Sequence, residues 1–243
     1  MLHFPSIKSA AFFALLILPG AAVSSDSPEP SEEHNLPIVT KYVDATHTQE
    51  EAMRGVQMDV DINAKIPSLE KHGRLLALRK ISRLGVITYK ALGFSGDNTV
   101  KQEVITRYLS AESEGRENGT IAISPVNYKF KLKGEMERGG RRVDILQITP
   151  RKKAIGLFKG ELWVDAETGM PVREIGQFVK SPSVFLKKIA FIRDYEMQGS
   201  VSIPAHIEST VDTRIAGRAE LEISFSNFTQ SVDDEVASVE ANP

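Results

Sequence analysis

The sequence predicts an α+β protein. One antiparallel sheet of about ten or eleven strands in meander order curls strongly, and two or three helices cover its concave face. Three observations predict it. After Gly119 nearly every stretch alternates apolar and polar residues between glycine-containing turns. Val56, Met58, Val60, Ile62, Ala64 and Ile66 alternate with Gln57, Asp59, Asp61, Asn63 and Lys65, as on a strand with one buried and one wet face. Helical periodicity is confined to the early part of the chain, near residues 36–55 and 99–114. A sheet of so many strands accumulates twist and curls toward a barrel, which creates a concave face for the helices to cover.

Residues 1–25 read as a signal peptide. Lys8 supplies the positive region and Ala10 to Leu18 the apolar run. Pro19-Gly20 breaks that run, and small residues from Ala21 to Ser25 offer a cleavage site. The apolar run is far short of the ~20 residues that a membrane span needs. The mature chain is expected to start near Ser25 or Asp26, with residues 26–34 as a disordered polar linker. Residues 35–230 form a single domain, and the acidic stretch 231–243 is a flexible tail.

Within the domain, Leu36, Val39, Tyr42 and Val43 share one face of a helix over 36–45, with Pro37 in its first turn. Thr48 and Glu51 match a capping box that would open a second short helix ending at Gly55. Residues 73–83 and 86–94 read as strands, although Leu75, Leu78 and Ser82 also allow a helical period in the first. Thr99-Val-Lys-Gln102 caps the next helix, whose apolar stripe is Val100, Val104, Ile105, Tyr108 and Leu109, and which ends near Glu114-Gly115. The remaining strands fall at about 128–137, 142–149, 158–165, 172–178, 185–195, 203–215 and 219–228. Gly139-Gly140 is a hairpin signal. Asp165-Ala-Glu-Thr-Gly-Met-Pro171 is a second turn, with an Asp to bond the backbone ahead and Gly169 to take positive φ. Pro204 cannot donate to a ladder and belongs at a strand start or edge.

Chemistry-bearing motifs are absent. There is no cysteine, which excludes disulfides, thiolate metal sites and a cysteine nucleophile. No nucleophile elbow, zinc-binding helix motif, phosphate-cradling loop or dinucleotide fingerprint occurs. His34, His47, His72 and His206 lack metal-ligand spacing. Asp59 and Asp61 share the solvent side of one strand. No catalytic residue, metal ligand or cofactor is therefore expected. Net charge is −2, or −3 once Lys8 is removed, and nothing suggests nucleic-acid binding. Arg138, Arg141, Arg142, Arg151, Lys152 and Lys153 form a local basic bias, read as solvated hairpin ends or as a contact for anionic headgroups.

What remains is the apolar concavity. Its expected lining is Val56, Met58, Val60, Ile62, Phe158, Leu162, Val164, Ile189, Phe191, Leu221, Ile223 and Phe225, with Val100, Val104 and Tyr108 on a covering helix. Either these side chains interdigitate as a packed core, or they enclose a cavity for an acyl chain or other hydrophobe. Trp163 lies on the opposite, outer face of its strand.

The order of elements resembles the periplasmic lipoprotein carriers and outer-membrane lipoprotein-sorting proteins, the LolA/LolB/RseB-like group. Lys159-Gly-Glu-Leu-Trp-Val-Asp-Ala-Glu-Thr-Gly-Met-Pro-Val172 is similar to that family's strand, D-x-x-T-G-x-P turn and strand. Tyr195-Glu-Met-Gln-Gly-Ser-Val-Ser-Ile-Pro204 resembles a recurring segment of strand, glycine turn and an isoleucine- or tryptophan-x-proline step, here Ile203-Pro204. The resemblance spans most of the mature chain and is concentrated from about Phe158 onward. It implies an unclosed β-barrel with a helical lid. It further implies a periplasmic, non-enzymatic role in lipoprotein sorting or lipid transport, with lipid or lipoprotein acyl chains as ligand. An inner-membrane transporter or an envelope regulator is the implied protein partner, and no stable membrane anchor is expected. A sensing or regulatory module of the same fold, and a secreted hydrolase assembled from distant residues, are the alternatives.

Overall fold

The structure is a computed structural model that describes residues 36–110, 122–181, 186–214 and 217–230. The expected signal peptide, linker and acidic tail lie outside these residues, as do Glu114-Gly115, Gly119, Phe185 and Ile215. Helix α1 (Pro37–Ala52) precedes strands β1 (Val56–Ile66), β2 (Lys71–Ile81) and β3 (Ile87–Gly96). Helix α2 opens at Asn98–Val100 and continues through a π-helical stretch, Lys101–Thr106. Seven strands follow: β4 (Tyr128–Arg138), β5 (Arg141–Pro150), β6 (Phe158–Asp165), β7 (Pro171–Phe178), β8 (Leu186–Gln198), β9 (Val201–Thr213) and β10 (Arg218–Gln230).

All ten strands join one antiparallel sheet in the order β3-β2-β1-β10-β9-β8-β7-β6-β5-β4. Each strand except two pairs with its sequence neighbours. The break falls between β3 and β4, which become the two edges, while β1 pairs with β10 and joins the two halves of the meander. The sheet is therefore an unclosed barrel, and the β3-to-β4 connection carries α2. Lys129, Lys131 and Lys133 on β4 blunt one edge against further strand pairing.

β1 shows why the alternation was informative. All of its even-numbered residues, from Val56 to Ile66, are buried. With Ala77, Leu221 and Ile223 they form a core under α2, into which Val100, Val104 and Ile105 insert. A second core lies under α1, where Val39 and Tyr42 pack with Tyr128, Leu146, Ile148 and Leu162.

Three local expectations are corrected. The two short helices are one helix of 16 residues, Pro37–Ala52. Thr48 does not cap it but bonds back to the Asp44 carbonyl at 3.1 Å, an arrangement open to a Thr inside a helix. The α2 cap is Asp97, whose carboxylate accepts from Thr99 N at 2.7 Å, so Thr99 is inside the helix. The helical alternative for residues 73–83 fails, because Leu75, Ala77, Arg79 and Ile81 all face inward at period 2.

Pro204 lies within β9, at a place where the missing N–H costs no ladder bond. The β9–β10 register ends at His206↔Ser224, so β9 has only β8 beside it there, and β8 carries an irregularity at Asp194/Tyr195.

The β6–β7 hairpin fastens α1 to the sheet. Asp165, 3% exposed, accepts at one oxygen from Glu167 N (3.0 Å), Thr168 N (2.8 Å) and Thr168 Oγ1 (3.0 Å). Gly169 has φ +76°, and a Cβ there would lie 2.7 Å from the Lys41 carbonyl oxygen, so α1 packs on the bare turn backbone. Lys41 Nζ donates to the Ala166 carbonyl at 2.9 Å. At the other end of α1, Gln49 Oε1 accepts from Ser202 N at 2.8 Å.

This turn has a pH signature. Burial alone would raise the Asp165 pKa, but the bonds from Thr168 and Glu167 and the Arg141 charge hold it below the usual carboxylate range. A carboxyl depressed on folding stabilises the fold above its unfolded pKa of about 3.9, and that stability is lost as pH falls through the lower folded value. Asp165→Asn keeps an acceptor and removes the charge. It should cost roughly 1–2 kcal/mol at pH 7, and the difference from wild type should shrink as the pH falls below about 4. Thermal melts at pH 7 and pH 3 check this, and an equal difference at both would contradict it.

Candidate functional site

A cavity of about 660 Å3 lies between the concave sheet face and the two helices. Its walls follow from strand phase. On β8, Ile189, Phe191, Arg193 and Tyr195 share the inner face; on β7, Glu174, Gly176 and Phe178 do. Cross-strand pairing sets Gly176 opposite Phe191 and Glu174 opposite Arg193. The surface thus grades from an aromatic end to a polar end.

The aromatic end is a chain of rings. Phe178 and Phe191 lie 5.1 Å apart, Phe191 and Phe158 4.9 Å, and Phe158 and Tyr128 6.0 Å, the last two edge-on. Gly176 makes room for this stack, since a Cβ there would approach Phe158 Cδ2 to 2.2 Å. The Tyr128 hydroxyl accepts from Phe158 N at 3.2 Å, and burial pushes its pKa up to about 12.

At the polar end Glu174, 3% exposed, uses both oxygens. Oε2 accepts from Arg193 Nη1 at 2.9 Å, and Oε1 accepts from the Tyr195 hydroxyl at 2.7 Å. Arg193 Nη1 also lies 3.4 Å from the Tyr195 oxygen. Burial works against the Arg193 charge, but Tyr195 and Glu174 outweigh it and hold the guanidinium firmly protonated. Burial, then the Glu174 charge, push the Tyr195 and Tyr42 phenols up.

Met53, Val104 and Tyr108 face the sheet from the helices. Arg79 stands on the β2 wall, 2% exposed, with Nε donating to the Tyr89 hydroxyl at 3.1 Å and Nη1 directed at Met58 Sδ at 3.6 Å. The mouth is mixed, with His47, Glu50, Arg54 and Glu103 exposed around it beside two apolar side chains. Leu84, in the β2–β3 turn, is 89% exposed and Ile155 is 40% exposed, and both border the cavity.

Of the lining residues expected from sequence, Phe158, Ile189, Phe191, Val104 and Tyr108 border this cavity. Val56, Met58, Val60, Ile62, Val100, Leu221 and Ile223 are instead buried in the core under α2, with Phe225 packed partly buried against it. Leu162 and Val164 belong to the core under α1. Sequence reading missed Glu174, Arg193 and Tyr195. A signal was present: Glu174 is in phase with Phe178, and Arg193 and Tyr195 are in phase with Ile189 and Phe191.

Trp163 lies on the outer face, its indole N–H donating to Glu161 at 3.0 Å and its ring between the Arg138 and Arg173 guanidinium groups at 5.9 and 5.6 Å. Much of the basic bias is engaged: Arg138 pairs with Asp194, Arg141 with Asp165 and Arg142 with Glu135. Arg151 donates to the Pro125 carbonyl. Among the described residues no group of His, Cys, Asp and Glu could hold a metal ion, and no helix is long and apolar enough to cross a membrane.

Fold and site together define an unclosed β-barrel with a cavity beneath two helices. No protein-family model matches the sequence, and the curated proteins contain no match. Among solved structures, the chain is similar to a DUF1329 family protein from Desulfovibrio piger, at 14% identity, 82% coverage of this chain and 95% of that one, and a TM-score of 0.44. It is also similar to a LolA superfamily protein from Nitrosomonas europaea, at 13% identity, coverage of 82% and 96%, and a TM-score of 0.40. The MucA/MucB complex of Pseudomonas aeruginosa matches at 11% identity, coverage of 79% and 99%, and a TM-score of 0.26. These neighbours include the family that the sequence motifs resemble. At identities this low the likeness concerns the fold.

Proposed function

We propose that this protein is an exported, non-enzymatic carrier that works in the periplasm and shelters the acyl chains of a lipid or lipoprotein in the cavity beneath its helices. The cavity carries this reading. About 660 Å3 falls within the range of roughly 300–1,000 Å3 typical of small-molecule sites, and its aromatic wall suits a hydrocarbon chain. Each CH2 taken from water contributes about 0.8 kcal/mol, so one chain supplies useful affinity without a specific headgroup contact.

Ile189→Trp tests the site. Its indole would project into the void from the β8 wall, and binding of a fluorescent fatty acid should weaken about ten-fold or more, with the melting temperature changed little, because the added atoms enter empty space. Unchanged binding by a folded variant would place the ligand elsewhere.

A second reading, a sensing module that acts through protein contacts, is favoured by one observation. β3 is a sheet edge that carries Leu92 at 59% exposure and lacks the lysine row of β4. A pull-down that retrieves an integral-membrane regulator, and no lipid, would support it.

A further inference from the structure

One end of the sheet carries a one-sided charge that the cavity does not explain. β4 begins there, β5 ends, β6 begins and β7 ends. Residues 122–129, 150–159 and 178–181 at this end hold Lys129, Arg151, Lys152, Lys153, Lys159 and Lys180, and no acidic residue. The chain as a whole has 30 cations against 32 acids. Counting the three glutamates and one arginine of residues 111–121 as well leaves a net charge of +4. On β4 to β7 the first acid inward from this end is Glu161, which Lys133 and the Trp163 N–H already engage. The opposite end differs, since Arg138, Arg141 and Arg142 there pair with Asp194, Asp165 and Glu135.

Two apolar side chains stand among these cations. Val126 is 82% exposed in the turn before β4, and Ile155 is 40% exposed in the β5–β6 loop. The turn that presents Val126 is tied down. Asn127 N and Tyr128 N both donate to the Ser124 carbonyl, at 3.0 and 2.9 Å. Asn127 Nδ2 donates to the Ala122 carbonyl at 3.0 Å and Arg151 Nε to the Pro125 carbonyl at 2.8 Å. A single exposed valine is ordinary. A valine fixed at the tip of a lysine-rich, acid-free end has the chemistry of a lipid interface, where cations meet headgroup phosphates and apolar side chains enter between them. The same two loops border the cavity through Ala122, Ile123, Ile155 and Gly156, so the cationic end is continuous with the rim.

The composition favours a bilayer over a protein as the partner. Protein interfaces are enriched in aromatic residues and arginine and depleted in lysine. This end has five lysines and one arginine, no exposed aromatic among its described residues, and that arginine is bonded to its own loop.

We propose that this end of the barrel docks on an anionic lipid surface, with the lysines on the headgroups and Val126 entering between them. The docking brings the cavity rim against the bilayer. It rests on the carrier reading for its purpose, as the face where lipid enters or leaves, and on the charges alone for the contact itself.

The test is flotation of protein purified from the cell envelope with phosphatidylcholine vesicles, alone and mixed with phosphatidylglycerol. At low salt the protein should float with the mixed vesicles only, and rising salt should release it. Lys152→Glu should weaken binding about ten-fold or more. Lys90→Glu changes the net charge equally from an exposed position on β3 and should weaken it about two-fold or less. Val126→Trp should float like wild type and gain blue-shifted emission on the mixed vesicles. All three positions are exposed, so the variants keep the fold. Equal flotation with both kinds of vesicle overturns the inference, as does equal weakening by Lys152→Glu and Lys90→Glu. An emission that does not shift while Val126→Trp floats puts another face on the lipid and also overturns it. No flotation with either vesicle overturns it and leaves the carrier reading standing, because a cavity ligand is read separately by native mass spectrometry.

Discussion

Glu174→Ala should lower the unfolding free energy by about 3 kcal/mol, because it leaves the Arg193 guanidinium in the cavity wall without its counter-charge. The melting temperature should fall by roughly 6–12 °C for a domain of this size. The lower end of the usual range for broken buried pairs is appropriate, since the Arg193 side chain retains 20% exposure and the void can admit water. Glu174→Leu combined with Arg193→Leu should recover most of the loss, because the cost comes from the unpaired charge and not from the missing bond. A double variant as unstable as the single one would show instead that the pair itself holds β7 to β8.

Gly160→Ala should be among the most damaging single substitutions in the sheet. A Cβ at Gly160 would come 1.9 Å from the Ile175 carbonyl oxygen and 2.7 Å from Gly176 Cα. Both are backbone atoms of β7, so no side chain can swing aside and β6 and β7 must separate. The expected cost is about 3 kcal/mol or more, read from urea midpoints. Gly176→Ala, which meets the Phe158 ring, should cost less because a ring can shift, though only toward Tyr128 and Phe191. Gly134→Ala is the control, with open space around the added carbon. Equal stability of Gly160→Ala and Gly134→Ala would contradict the close approach of β6 and β7.

Much of the fold was legible because strand phase is written in single residues. The alternation from Val56 to Ile66 survives unchanged as burial, and Gly139-Gly140 and Asp165 to Pro171 form turns where their residue types require them. Strand order followed from the meander, but the position of the opening did not. The lysine row of β4 is compatible with an edge, but nothing in β3 alone marks it as the other; the β1–β10 pairing decides it. Helix boundaries were less legible. Thr48 has the sequence of a cap, yet the polar side chain returns to the Asp44 carbonyl and the helix runs on.

The site was legible only at its apolar end. Period-2 reading places Val60, Phe158 and Phe191 on one face alike, but it cannot say which of them meet side chains and which meet space. That depends on where the helices rest, and α1 rests on Gly169 and Ser202, some 130 residues or more away in sequence. Glu174, Arg193 and Tyr195 escaped notice because charged and phenolic residues are read as solvent-facing. Only their phase with Phe178 and Phe191 contradicts that habit.

The central claim is that the cavity holds an acyl chain. Native mass spectrometry of the protein, purified gently from the cell envelope, tests it most directly. The account predicts a population carrying one added lipid mass, released on activation and depleted in Ile189→Trp. Protein that is uniformly empty, and stays empty after incubation with monopalmitoylglycerol, would contradict it.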